Sequence, residues 1–195
     1  LQVKIGDNDE ILLKGSTITP GYYKRDAVNK EAFTEDGFFR TGDAGYIKNG
    51  ELFLTDRIKD LFKTSNGKYI APQMIESLLL VDKFIDQVVV IANERKFVSA
   101  LIVPEFRLVE EWAKDHGIAF ESREDLCANA KVNKMMMDRI QTLQQQLAHY
   151  EQIKRFTLIA HHFSMESGEL TNTLKIRRPV IYKNFKEVID KMYEE

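Results

Sequence analysis

One cysteine, Cys127, is all the chain contains, so no disulfide can close within it. That usage leads us to expect a reducing, cytoplasmic setting. Excess positive charge is missing too. Lys and Arg number 28 against 30 Asp and Glu, a formal net charge of -2. The basic footprint of a nucleic-acid binder is absent, so no nucleic-acid partner is expected. A local cation cluster could still meet a phosphate. Long apolar runs are lacking as well. The longest, at residues 88–92, falls far short of the ~20 residues that span a bilayer. At most a peripheral membrane contact is expected. The first residues, LQVKIG, carry neither an initiator Met nor a signal-peptide pattern. They are expected to lie in the middle of a longer chain. No repeat or low-complexity segment occurs.

What is present is an ordinary globular balance, with 44% hydrophobic and 30% charged residues in 195. EILLK at residues 10–14 predicts a strand, and Asp26 is placed to cap a short helix. YIKNGELFL at 46–54 predicts a hairpin, because Asn49-Gly50 tolerates the positive φ angles of a two-residue turn. Pro72 suits the first turn of a helix bearing Ile75, Leu78 and Leu79. VVVIA and FVSALIV flank a polar turn at 93–96 and predict an antiparallel pair. Phe106, Val109 and Ala113 line one helix face, with Gly117 at its end. Ser122 and Asp125 form a capping-box pattern. A long helix is predicted over 129–150, with a stripe of Val132, Met136, Ile140, Leu143, Leu147 and Tyr150. Met135, Met136 and Met137 read as adaptable core filling. RFTLIA at 155–160 predicts a strand. A terminal helix carries Phe185, Val188, Ile189 and Met192.

Three segments carry chemistry. In FFRTGDAGYI at 38–47, the Asp43 carboxylate could accept hydrogen bonds from a vicinal diol, or simply close an Asx-turn. In TDRIKDLFKTSNGKYIAPQMIE at 55–76, Arg57 follows a strand and offers a planar fork for a hydroxyl or phosphate. Lys59 lies in an unpatterned stretch where backbone rotation is plausible. Gly67 would let a ligand approach the main chain closely. The bland alternative is a charged interdomain link with a structural turn. In ELTNTLKIRR at 169–178, poor helix formers precede Lys175, which predicts a loop presenting a mobile cation. The alternative there is a solvated basic surface.

In this order the segments resemble the acyl-adenylate-forming enzymes, the family of acyl-CoA synthetases, luciferases and peptide-synthetase adenylation domains. The resemblance runs through most of the chain. FSMESGELTNTLKIRR is most similar to the long-chain fatty acyl-CoA synthetase branch. The implied fold is α+β: a mainly β piece of the large N-terminal domain at 1–58, then a small mixed α/β C-terminal lid domain at 59–195. By the resemblance, Asp43 and Arg57 contact the nucleotide ribose, and Lys59 is the hinge between two poses. Gly67 lies on the CoA pantetheine path, and Lys175 bridges carboxylate and α-phosphate during adenylation. Arg178 is a structural or CoA-side contact, and Arg177 a solvated neighbour. The implied activity is that of an ATP-dependent long-chain fatty acid–CoA ligase using ATP, CoA and Mg2+.

Some family features lack counterparts. No phosphate loop followed by a lysine occurs, nor the upstream segment that supplies an adenine contact and a magnesium ligand. The resemblance therefore implies a missing N-terminal large domain as partner, and no synthetase activity for the fragment alone. Asn172 stands where the family usually has proline, and Leu174 where many relatives have glycine. Two other functions stay open: an adenylate-forming ligase for another carboxylic acid, and a non-catalytic interaction module that kept the fold. His161-His162 has no metal-ligand spacing around it. Cys127 reads as a buried or half-buried thiol, and Trp112 as helix packing.

Overall fold

The computed structural model describes residues 1–194. The chain divides into two compact units, Leu1–Leu61 and Phe62–Glu195.

The first unit is a four-stranded antiparallel sheet in sequential order. Its strands are β1 (Gln2–Ile5), β2 (Glu10–Lys14), β3 (Phe39–Lys48) and β4 (Glu51–Arg57). A short helix, α1 (Asp26–Ala32), lies between β2 and β3. Arg25 rather than Asp26 stands at the N-cap; Asp26 opens the first turn, where its charge suits the helix dipole. The β3–β4 turn has φ of 53° at Asn49 and 82° at Gly50, the positive pair that the hairpin demands. Burial here is thin. Ile11, Leu12 and Ala44 are buried, whereas Tyr46, Ile47, Leu52, Phe53 and Leu54 on the hairpin are exposed.

The second unit has a dense core. Its main sheet joins β7 (Ile85–Ile91), β8 (Val98–Pro104) and β9 (Ile153–Leu158) in that order. Strands β7 and β8 pair antiparallel, as their sequence predicts, whereas β8 and β9 are parallel. Parallel neighbours need a long crossover. Three helices supply it: α3 (Phe106–Asp115), α4 (Arg123–Ala128) and α5 (Ala130–Leu143). Every residue of β8 is buried, because both faces of the sheet are covered. Val88, Val90, Ala100 and Ile102 point into a cluster with Val109, Leu126, Val132, Met136 and Ile140, joined by Ile75 and Leu79 of α2 (Pro72–Leu79). The alternate residues Val89, Ile91, Leu101 and Val103 meet Ile181, Phe185, Ile189 and Met192. The period-two split explains why these strands read as unbroken apolar runs. A two-residue pair, β5 (Phe62–Lys63) with β6 (Tyr69–Ile70), precedes α2.

Helix starts follow the sequence closely. Pro72 opens α2, and Ser122 with Asp125 forms a complete capping box on α4. Helix ends do not. The long helix stops at Leu143 instead of Tyr150. Gln144 turns inward, is buried, and bonds both backbone groups of Ile153 at 3.3 and 2.8 Å. The terminal helix breaks at Phe185 into α6 (Arg178–Asn184) and α7 (Lys186–Lys191). There Phe185 packs against the rings of His161 and Phe163.

Among the described residues, one buried side-chain polar atom is left over. The Tyr182 hydroxyl on α6 has no hydrogen-bond partner among the described residues. Burial pushes its pKa up to about 12, partly opposed by the nearby charge of Arg178. Substituting Tyr182→Phe deletes the unpaired group and is expected to raise stability by about 1 kcal/mol. Urea unfolding checks this as a higher midpoint at constant slope. A lower midpoint would mean the hydroxyl is satisfied.

Candidate active site

Asp43 and Arg57 meet as directly opposed residues of β3 and β4. Their side chains form an ion pair at 3.4 Å, with Arg57 mostly exposed and Asp43 partly so. A register shift between Ala44 and Gly45 places the pair beyond a bulge. Bulges re-aim side chains, and such spots often border sites. The turn before Asp43 is closed by Thr41, whose Oγ1 accepts from the Asp43 N–H at 3.1 Å and donates to the Ile11 carbonyl at 2.7 Å. The Asx-turn alternative therefore does not describe this segment. Glu10, which sequence inspection passes over, accepts from the Gly42 N–H at 3.2 Å and from Arg40 at 2.8 Å. A carboxylate and a planar cation on adjacent strands can together hold a diol and a neighbouring polar group.

Lys59 is exposed in a single 3-10 turn, Ile58–Asp60. The stretch is thus locally ordered rather than unpatterned, and its one turn ends immediately before Leu61. The Leu61 N–H closes it by donating to the carbonyls of Arg57 and Ile58 at 3.1 and 3.3 Å.

Gly67 lies in the tight connection between β5 and β6. Its φ is 76°, and a Cβ added there would meet nothing within 4 Å. The turn is rigid: Thr64 exchanges backbone and hydroxyl hydrogen bonds with Lys68, and the Gly67 N–H donates to the Thr64 carbonyl at 2.9 Å. The Ser65 N–H donates to Arg95 and the Glu94 N–H to Lys63, which tie the turn to the β7–β8 connection. The result is an open, fixed main-chain surface that a narrow ligand can approach.

Lys175 is exposed on a small closed loop. An isolated antiparallel bridge joins Leu170 to Ile176. Within it the Thr171 N–H donates to the Lys175 carbonyl at 2.8 Å, and the Lys175 N–H donates to Thr171 Oγ1 at 3.0 Å. Leu174 takes a left-handed φ of 59° and is 68% exposed. A leucine in that conformation is strained, and glycine would relieve it. Asn172 is exposed at the tip. An open hollow of about 410 Å³ lies beside this loop, lined by Met165, Leu170, Thr171, Asn172, Thr173 and Arg177. Arg177 is exposed, whereas Arg178 turns inward and pairs with Glu76 at 2.7 Å.

The remaining candidates resolve simply. Burial first, and then the charge of Glu124, push the Cys127 thiol up to about 11, so it is protonated at neutral pH. Trp112 packs against the core and stacks on His116. His162 contacts Asp86 at 3.2 Å. No group of three or more His, Cys, Asp or Glu able to hold a metal occurs among the described residues. No helix among them is long and apolar enough to cross a membrane.

A family model described as the AMP-binding enzyme C-terminal domain matches residues 59–195. The chain is 36% identical over 189 residues to the human long-chain-fatty-acid–CoA ligase 1, covering 94% of the chain and 27% of that protein. It is 35% identical over 190 residues to the peroxisomal long chain acyl-CoA synthetase 6 of Arabidopsis thaliana, covering 95% and 27%. It therefore spans about a quarter of the length of these curated relatives. Among solved structures, the A domain of a carboxylic acid reductase from Segniliparus rugosus, in complex with AMP and a co-purified carboxylic acid, superposes with a TM-score of 0.66. That match has 26% identity and covers 94% of this chain and 28% of that one.

Proposed function

The chain belongs to the AMP-binding enzyme C-terminal domain family, and from that membership we propose that it is part of an ATP-dependent long-chain fatty acid–CoA ligase. The observation that carries the proposal is an exposed lysine, Lys175, held on a closed loop in a chain whose curated relatives are long-chain acyl-CoA synthetases over nearly its whole length. In this reading the reaction has two halves. A fatty carboxylate first attacks the α-phosphate of ATP, forming the acyl-adenylate and releasing pyrophosphate. The CoA thiol then attacks the acyl carbonyl, forming the thioester and releasing AMP.

Each residue has a physical task in that scheme. Asp43 accepts hydrogen bonds from the ribose hydroxyls, with Arg57 beside it as a fixed planar donor. Lys175 offsets the repulsion between the two approaching anions and stabilises charge developing in the transition state. Gly67 leaves room for the pantetheine arm along the β5–β6 turn. Lys59 is the pivot that lets Lys175 and Gly67 serve in succession. A large nucleotide-binding domain, the partner in this scheme, would hold the triphosphate and the magnesium ligands. On this reading the 195 residues alone are inactive.

The test is a panel of carboxylic acids of graded chain length, assayed for AMP and acyl-CoA formation by the full-length protein. Preference for long-chain fatty acids is the expected outcome. Preference for an aryl or amino acid would place the protein among ligases for other acids. Absence of any adenylation, with nucleotide binding retained, would favour a non-catalytic module.

A further inference from the structure

Glu76 and Arg178 lie 102 residues apart in sequence and meet in the second unit. Glu76 sits on α2 and Arg178 opens α6, three residues after Lys175. Their contact is a two-pronged ion pair, Nη1 to Oε1 at 2.7 Å and Nη2 to Oε2 at 2.8 Å. The Glu76 side chain is 8% exposed and that of Arg178 19%. The same pair satisfies the open edge of β7: the Val90 N–H donates to Glu76 Oε1 at 2.8 Å, and Arg178 Nη1 donates to the Val90 carbonyl at 3.4 Å. The guanidinium also lies over the Phe62 ring at 5.2 Å.

The other root of the lysine loop is fixed independently. Glu169 is buried, accepting from Ser167 Oγ at 2.7 Å and Asn184 Nδ2 at 3.1 Å, and its carbonyl takes the Arg177 N–H at 2.8 Å. The loop is thus pinned at both ends while its tip stays exposed. A buried bidentate pair is a poor source of net stability, but it fixes register in a way an apolar contact does not.

We infer that Glu76, acting through Arg178, is a positioning residue for Lys175: the pair sets where the lysine loop leaves the sheet, and so where the Lys175 ammonium is delivered. The inference rests on the assignment of Lys175 to adenylation. A point charge displaced by about an ångström at the reacting phosphate loses a large part of its effect.

The test uses the full-length protein with Glu76→Gln and Arg178→Met combined. The introduced glutamine would keep an acceptor for the Val90 N–H, and the introduced methionine would replace the arginine stem without leaving a buried charge. The thermal midpoint should therefore stay within a few degrees. Adenylation, followed as pyrophosphate exchange into ATP, should slow about tenfold, with KM for ATP within about twofold. Thioester formation from supplied acyl-adenylate should stay within about twofold. Arg178→Lys, which keeps the charge but loses the fork, should show the same split in milder form.

Lys175→Ala is run alongside to separate the premise from the inference. If it abolishes adenylation while the double variant matches wild type, the positioning role is wrong. If both half-reactions fall together with the midpoint in both Arg178 variants, the pair is structural only and the inference fails. If Lys175→Ala leaves adenylation intact, the functional assignment fails first and takes this inference with it.

Discussion

Replacing Lys175 with alanine in the full-length protein is expected to slow acyl-adenylate formation by about 10²–10³-fold, the scale of a lost transition-state charge contact. The carboxylate and the α-phosphate are both anionic, so bringing them together needs a cation whose position is set before the reaction. Lys175 meets that requirement structurally. Its backbone is held on both sides by Thr171, and the bridge between Leu170 and Ile176 closes the loop beneath it. Its side chain is exposed and forms no ion pair among the described residues, so the charge is not committed elsewhere. Because the thiol step needs no such cation, thioester formation from supplied acyl-adenylate should be largely spared. Pyrophosphate exchange and acyl-CoA release measure the two halves separately. Equal loss in both, with folding intact, would contradict a two-pose enzyme and the task assigned to Lys175.

A second large effect is expected on stability. Glu76→Leu should destabilise the second unit by about 3–5 kcal/mol, because it takes the Glu76 counter-charge from a largely buried guanidinium. It also removes the acceptor for the Val90 N–H at the sheet edge, and an unpaired buried donor carries its own desolvation cost. Chemical unfolding of the 195-residue chain, followed by a probe in the second unit such as Trp112, measures this as a lower midpoint. The combined replacement of both partners should recover most of the loss. That recovery distinguishes the loss of the Glu76 counter-charge from a cavity, which a second truncation would not repair. A Glu76→Leu midpoint near wild type would mean that Arg178 finds another counter-charge or reaches water.

Much of the fold was legible because local rules governed it. The Asn49-Gly50 hairpin, Pro72 at a helix start, the Ser122 capping box and the antiparallel β7–β8 pair each depend on a few adjacent residues. Helix ends were misread where a distant partner intervened. The helix predicted to run to Tyr150 stops at Leu143, where Gln144 bonds the backbone of Ile153, although Leu147 of the predicted stripe still packs against the core. No local pattern announces that contact. The terminal helix carrying Phe185, Val188, Ile189 and Met192 is present as α7, whereas α6 before it was not read from the sequence.

The candidate site divides along the same line. Residue chemistry raised Asp43, Arg57, Lys59, Gly67 and Lys175 as candidates beside structural alternatives, and the resemblance to the acyl-adenylate-forming enzymes is what gave each its expected role. Tertiary structure decided how they are held. It opposed Asp43 to Arg57 across two strands and gave the turn before Asp43 to Thr41. It sent Arg178 inward to Glu76, 102 residues away, while Arg177 faces solvent. Adjacent arginines are chemically identical in a sequence. Only the packing of α6 against the edge of β7 assigns one to the interior, because burial of a charge requires a partner that the chain brings from far away.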